Sequence, residues 1–275
     1  MSATYPVLRI TASDAARPSR LAHVWRSREL LRELIIRNLK VKYQRSLLGF
    51  VWTFLNPLMT VGILVLVFSH VVRIPLSDYW AFVLSGYFVW NCILQTLNTG
   101  TYIFAEHSRL TRSVAFPSEI LVFGAVGSRL LEFLAEMTLI LILLIAFHHA
   151  AVPASFALFP LTLIIQVLLV IGMALPIATL SVFYYDVQHA LPIALTTLFY
   201  LSPVFYPAQM VPEAARPFYF LNPLAGLLTL YHEILYAGRM PSLTLLFGMM
   251  TASLLVYLIG YAIFSRYADV FPEIV

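Results

Sequence analysis

FALFPLTLIIQVLLVIGMALPIATLSVFY, residues Phe156–Tyr184, is a run of 29 residues that contains no Asp, Glu, Lys or Arg. A helix rises 1.5 Å per residue, so a run this long outreaches the ~30 Å hydrocarbon core of a bilayer. Five further apolar runs flank it: Phe50–Val72, Tyr79–Leu97 and Ile120–Phe147 before, Ala190–Phe205 and Leu243–Phe264 after. Only helices satisfy their own backbone groups in lipid without closing a barrel. The reading is an all-helical polytopic membrane protein with six spans. Composition agrees, since 61% of the 275 residues are hydrophobic and 11% charged, against ~25% charged in a soluble domain. With 20 Phe, 15 Tyr and 4 Trp the chain is not a disordered one either. The stretch Tyr206–Ser242 is apolar but broken by Pro207, Pro212, Pro217, Asn222, Pro223 and Gly238. It reads as short helices dipping into the outer leaflet, or a re-entrant hairpin, rather than a seventh crossing. The chain divides into a tail (1–27), an interfacial helix (28–49), one transmembrane domain (50–265) with an external gate segment (206–242), and a tail (266–275).

Of the 17 Lys and Arg, ten precede residue 46: Arg9, Arg17, Arg20, Arg26, Arg28, Arg32, Arg37, Lys40, Lys42 and Arg45. Attraction to anionic headgroups accounts for them, and no nucleic-acid partner is needed. With the N-terminus inside, 13 cations fall on the cytoplasmic side and three, Arg73, Arg216 and Arg239, outside. That bias places both termini in the cytoplasm. Residues 1–20 show no apolar core or cleavage motif of a signal peptide. In Arg28–Leu48 the residues Leu31, Leu34, Ile35 and Leu39 share one helical face, into which Asn38 and Lys42 intrude. A helix lying in the headgroup layer tolerates both, because long cationic side chains snorkel outward. A basic stretch that only sets topology is the alternative.

Catalytic patterns are missing. No glycine is followed by lysine, which excludes a G-x-x-x-x-G-K-[ST] phosphate loop, and H-E-x-x-H and G-x-S-x-G do not occur. The single Cys92 rules out an internal disulfide. His148 and His149 are adjacent and would point about 100° apart on a helix, a poor metal chelate. Arg129, Glu132 and Glu136 share one face of the third span at i, i+3 and i+7. Intramembrane ionisable groups face protein or water and pair. Either a glutamate here lines a polar route or relays protons, or Arg129 pairs with Glu132 and the face packs on another helix. Trp52, Tyr87, Phe88, Phe199, Tyr200, Phe205 and Tyr206 are candidates to line a sugar path, because aromatic faces stack on flat ligands, and core packing is the alternative. Gly124 with Ser128 forms a small-xxx-small pair that could serve a dimer contact or internal packing.

Three segments carry a resemblance. Arg37-Asn38-Leu39-Lys40-Val41-Lys42-Tyr43-Gln44-Arg45-Ser46-Leu47-Leu48-Gly49-Phe50-Val51-Trp52, continuing to Leu55-Asn56-Pro57-Leu58, resembles the opening of the type-2 ABC exporter permeases that export polysaccharides. Arg109-Leu110 and Phe116-Pro117-Ser118-Glu119-Ile120-Leu121 look like their cytoplasmic loop. Tyr200-Leu201-Ser202-Pro203-Val204-Phe205-Tyr206-Pro207 and Leu221-Asn222-Pro223-Leu224 are similar to their signatures around the fifth span and the external gate. The resemblance covers about residues 28–265, with two departures: Tyr185 precedes Asp186 where the family often has Arg, and Ser118 stands where it usually has Arg.

The resemblance implies a half-transporter of the bacterial inner membrane. Two copies would surround a channel and bind two copies of a separate ABC ATPase that holds the ATP and Mg, and the cargo would be an O-antigen, capsular or teichoic-acid polymer on a lipid carrier. It implies coupling to the ATPase through Arg109, Phe116, Pro117, Glu119 and Asp186, an interfacial helix carrying Arg37, Lys40, Lys42, Tyr43 and Arg45, and an external gate at Pro207, Asn222 and Pro223. The alternatives are an exporter of another lipid or drug, a membrane transferase using Glu213, His232 and Glu233, and a passive channel.

Overall fold

The computed structural model describes residues 27–44, 46–108, 117–148 and 153–274, without the side chains of His148, Asp269, Pro272 and Glu273. Among these residues every regular element is helical. Five helical stretches are long and apolar enough to cross a membrane: Gly49–Val71, Tyr79–Glu106, Glu119–Phe147, Ala154–Phe183 and Leu243–Tyr267.

In chain order, α1 (Arg28–Tyr43) stops short of the expected Leu48, because Gln44 turns extended. α2 (Trp52–Leu66) begins from a 3-10 turn at Gly49–Val51 and continues as a π-turn at Val67–Val71. α3 (Tyr79–Glu106) runs past the expected end at Leu97. α4 (Glu119–His148) and α5 (Phe159–Phe183) follow, the latter led by the 3-10 turn Ala154–Leu158. α6 (Val187–Tyr200), α7 (Arg216–Tyr219) and α8 (Pro223–Tyr231) are short, and α8 continues as a π-turn to Tyr236. α9 (Leu243–Tyr267) and α10 (Phe271–Ile274) close the chain.

α3 is the centre of the bundle. Val83, Phe88, Val89, Trp90 and Ile93 are all buried, and α2, α4, α5, α6 and α8 pack around it. α5 and α9 meet backbone to backbone: a Cβ built on Gly260 would stand 2.0 Å from the Gly172 carbonyl oxygen. Only glycine permits that approach, which maximises dispersion contacts where lipid offers no hydrophobic drive. α2 and α9 instead leave broad apolar faces uncovered, including Met59, Ile63 and Leu66 on one and Phe247, Leu255 and Ile259 on the other.

The expected fifth span is the element that departs most from expectation. α6 has 14 residues, about 21 Å of helix, too short to cross alone. Its first turn is fixed by Gln188 Nε2 donating to the Thr101 carbonyl at 3.4 Å, and past its end the Tyr79 hydroxyl donates to the Phe205 carbonyl. Tyr79 and Thr101 are separated by about 33 Å of α3. The segment therefore covers that depth as helix to Tyr200 and as irregular chain from there. Ser202–Phe205 are buried within the protein, a setting in which non-helical backbone is tolerated at such depth.

Among the described residues the five long apolar stretches and the α6 segment run along the bundle. Phe104, Phe264 and Phe271 cluster with ring centroids 4.7–6.2 Å apart, so α10 sits at the end of α3 nearer to α1. α8 inserts from the opposite end: Leu227, Leu228, Leu230 and Tyr231 have no exposed surface, and the Tyr231 hydroxyl donates to Gln166 Oε1 at 2.5 Å.

Candidate functional site

Two assemblies of polar and aromatic side chains stand out, at opposite ends of the bundle. The first is the joint between α1 and α4. Leu34 and Ile35 of α1 settle onto Gly124 and Gly127 of α4, where an added Cβ would approach them to 3.1 and 2.6 Å. Gly124, considered above as a dimer contact, therefore receives α1 of its own chain. This docking carries the end of α1 to Glu132. Lys42 Nζ donates to both Glu132 oxygens at 2.9 Å, the Tyr43 hydroxyl donates to Oε1 at 2.6 Å, and Arg129 Nη1 reaches Oε2 at 2.9 Å. Tyr43 also bonds the Thr53 hydroxyl, so α1, α2 and α4 meet at one carboxylate. Burial and the neighbouring Arg129 guanidinium hold the Lys42 ammonium below its ordinary range, and burial with Glu132 beside it pushes the Tyr43 phenol up.

Of the two readings for the third-span charges, the geometry has the paired one for Arg129 and Glu132. Glu136, also buried, accepts from Asn91 Nδ2 of α3 at 3.3 Å. Sequence reasoning missed Lys42 and Tyr43 as partners of Glu132. The available signal was the intrusion of Lys42 into the apolar face of α1. That face lies on protein, and Lys42 stands on it because a buried carboxylate waits opposite. Arg37 and Lys40 are exposed, and Arg45 lies outside the described residues.

Aromatic side chains gather at the other end. Phe199 is central: its ring lies 5.5 Å from Trp90, 6.4 Å from Tyr87 and 5.4 Å from Phe205. Tyr206 joins through Phe205 at 5.1 Å and passes the contact to Tyr219 at 6.4 Å. Most of the proposed lining residues thus form one continuous wall, but two cannot face a path. Phe88 is wholly buried because α3 is enclosed by other helices on most sides, and Phe205 is nearly so because it packs among Phe68, Phe199 and Tyr206. Tyr200 is exposed and Tyr87, Phe199 and Tyr206 are partly so, whereas Trp52 is exposed at the α1 end of α2, away from this wall. Beside it opens a largely apolar cavity of about 530 Å³, between Leu198, Tyr206, Met210, Phe218 and Tyr219.

The residues expected at an external gate tie this wall to α8. Asn222 caps α8, accepting from the Leu224 amide at 3.0 Å, while its Nδ2 donates to Ser202 Oγ at 2.8 Å in the irregular stretch. Pro223 follows at the first helical position, where a missing N–H costs nothing. Pro207 leads into the 3-10 turn Ala208–Met210. His232 stacks on Phe82 at 3.9 Å, with Nδ1 3.0 Å from Ser85 Oγ and Nε2 donating to the Pro203 carbonyl at 2.7 Å.

The transferase alternative needed Glu213, His232 and Glu233 together. Instead, His232 is buried with both ring nitrogens engaged, Glu233 pairs with Arg239 at 3.3 Å, and Glu213 is exposed beside Arg216. Among the described residues no three His, Cys, Asp or Glu form a metal-sized group. Of the expected coupling residues, Arg109 and Phe116 lie outside the described residues, as does His149 of the histidine pair. Pro117 precedes α4, Glu119 is buried in its first turn, and Asp186 is exposed just before α6.

Residues 29–236 match the model of the ABC-2 type transporter family. The chain belongs to that family. Its relatives include the O-antigen export system permease protein RfbA of Myxococcus xanthus, 30% identical over 252 residues, 91% of this chain and 96% of that one. RfbA of Klebsiella pneumoniae is 24% identical over 90% of this chain and 95% of its own length. The polysialic acid transport protein KpsM of Escherichia coli is 22% identical over 84% and 90%. As an ABC-2 transporter membrane domain, the chain is a multi-pass membrane protein.

Proposed function

We propose that this chain is the permease subunit of an ATP-driven exporter that carries a lipid-linked polysaccharide across the bacterial inner membrane. The observation that carries this reading is the near full-length similarity to O-antigen export permeases. The sequence holds no phosphate loop, so ATP and Mg belong to a separate ABC ATPase, two copies of which would bind a homodimer of this chain. The end bearing α1 and α10 faces the cytoplasm in this reading, supported by the concentration of Lys and Arg before residue 46.

The geometry supports a route for the stroke. α1 is seated on α4 and bonded through Tyr43 to α2, so a push on α1 or on the Pro117–Glu119 turn displaces α4 and α2 together. At the far end the irregular Ser202–Phe205 stretch is bonded to α8 through Asn222 and His232. A shift of α6 is thereby passed to the segment that closes the outer mouth. The partly exposed rings of Tyr87, Phe199, Tyr200 and Tyr206 offer stacking faces to sugar rings without fixing their orientation.

The test is affinity capture of the membrane-extracted chain, identification of co-purifying proteins by mass spectrometry, and an ATPase assay of the complex. A stoichiometric ABC ATPase, with turnover changed by Pro117→Ala, is the expected result. A chain that comes out alone under conditions that preserve complexes would sink the exporter reading.

A further inference from the structure

At the α1 joint a cavity of about 390 Å³ lies between α1 and the adjoining ends of α3 and α4. Its wall carries three cations, Arg37, Lys42 and Arg129, against two acids, Glu106 and Glu132. Lys42 and Arg129 both lean on the single Glu132 carboxylate. Arg37 is exposed at the rim, with no ion pair among the described residues. Among the described residues, and leaving His107 of the same lining neutral, the wall therefore carries one more positive than negative charge. Asn38 adds an amide, the Thr99 hydroxyl donates to the Gln95 carbonyl at 2.8 Å and accepts from Arg129 at 3.4 Å, and Val41 and Ile103 supply apolar wall next to the charges.

We propose that this cavity binds the phosphate of a lipid headgroup, gripped by Arg37 and Lys42 with Arg129 behind them. The Arg37 guanidinium and the Lys42 ammonium donate charge-assisted hydrogen bonds to phosphate oxygens, and a phosphodiester brings the one charge that is missing. The apolar wall receives the first carbons of the lipid chain. Burial first and the Arg129 guanidinium second lower the Lys42 ammonium, and an anion in the cavity would offset the Arg129 part. This deepens the exporter reading and rests on its orientation, in which the α1 end lies at the inner headgroup layer. The same chemistry is offered by a membrane phospholipid and by the phosphate that joins a glycan to its carrier.

The experiment measures calorimetric binding of two probes, short-chain phosphatidylglycerol and farnesyl diphosphate, to the purified chain in neutral detergent. The cavity is built within one chain, so the measurement stands whether or not an ATPase co-purifies; if one does, its nucleotide sites are first filled with a non-hydrolysable ATP analogue. Arg37→Gln is compared with Lys40→Gln, which removes an equal charge from exposed α1 surface outside the cavity. Arg37→Gln should weaken binding about tenfold, one charged hydrogen bond's share, and Lys40→Gln less than about twofold. Asn38→Leu, which removes the cavity's side-chain amide, should weaken binding in the same direction if Arg37→Gln does not purify. Loss confined to phosphatidylglycerol identifies a phospholipid site, loss confined to farnesyl diphosphate a carrier site, and loss of both a site that reads phosphate alone. Equal effects of Arg37→Gln and Lys40→Gln, or no binding of either probe, overturn the proposal. The exporter reading would survive that result, since partner capture tests it separately.

Discussion

At Glu132 a single carboxylate, largely shielded from solvent, answers to Lys42, Tyr43 and Arg129, and removing its charge leaves two cations facing each other. Glu132→Gln should destabilise the chain by about 3 kcal/mol, the usual loss when one member of a buried ion cluster is deleted. Lys42→Met should cost no more than about 1 kcal/mol, because Lys42 is more than a third exposed. Thermal unfolding in detergent distinguishes the two, and the idea of a charged joint fails if their midpoints are equal. The Arg129 to Glu132 pair was legible in the sequence, since i, i+3 spacing on one helix forces proximity. Lys42 and Tyr43 lie some ninety residues from Glu132, and nothing local announces such a contact. The imperfect face of α1 was the trace it left. The aromatic candidates were legible as a group, but which of them face outward was not, because burial depends on how many helices surround α3.

Among the elements, α5 and α9 pair through glycines whose replacement has no room. Gly260→Leu should prevent their contact and cost about 3 kcal/mol or more, since the obstacle is backbone and cannot rotate away. Gly248→Leu on the same helix faces open space and should be silent. Fluorescence-detected size exclusion of tagged variants would show it, and equal monodispersity of the two would count against a tight α5 to α9 seam. Helix existence was readable because apolar length is a strong signal; helix ends were less so. α1 ends at Tyr43 where apolar residues continue at Leu47 and Leu48, and α6 ends at Tyr200 although the apolar run continues to Phe205. The second case has a local cause, for Pro203 lacks an N–H and disfavours helix at Ser202 before it.

At the scale of the molecule, among the described residues α1 and α10 lie at one end of the bundle and the 206–242 segment at the other. Cys92 is the sole cysteine and is buried, so single cysteines placed at Lys40 and Gln209 can report sidedness. A membrane-impermeant maleimide should label Gln209→Cys from outside intact cells and Lys40→Cys only after permeabilisation; the reverse pattern would invert the proposed orientation. The pass made by α6 also bears on how the chain is made. An insertion machine judges each segment as it emerges, by length and apolarity, and a 14-residue helix with Asp186, Gln188 and His189 at its start scores poorly on both. Its place is secured by partners synthesised earlier, Thr101 and Tyr79 on α3, and by Asn222 and His232, which emerge later. Fused alone to a glycosylation reporter, residues 187–206 should fail to insert, whereas in the full chain they should reach their depth. Variants at Asn222 should then show first as a defect of biogenesis, as expected of a pass held in place by its neighbours.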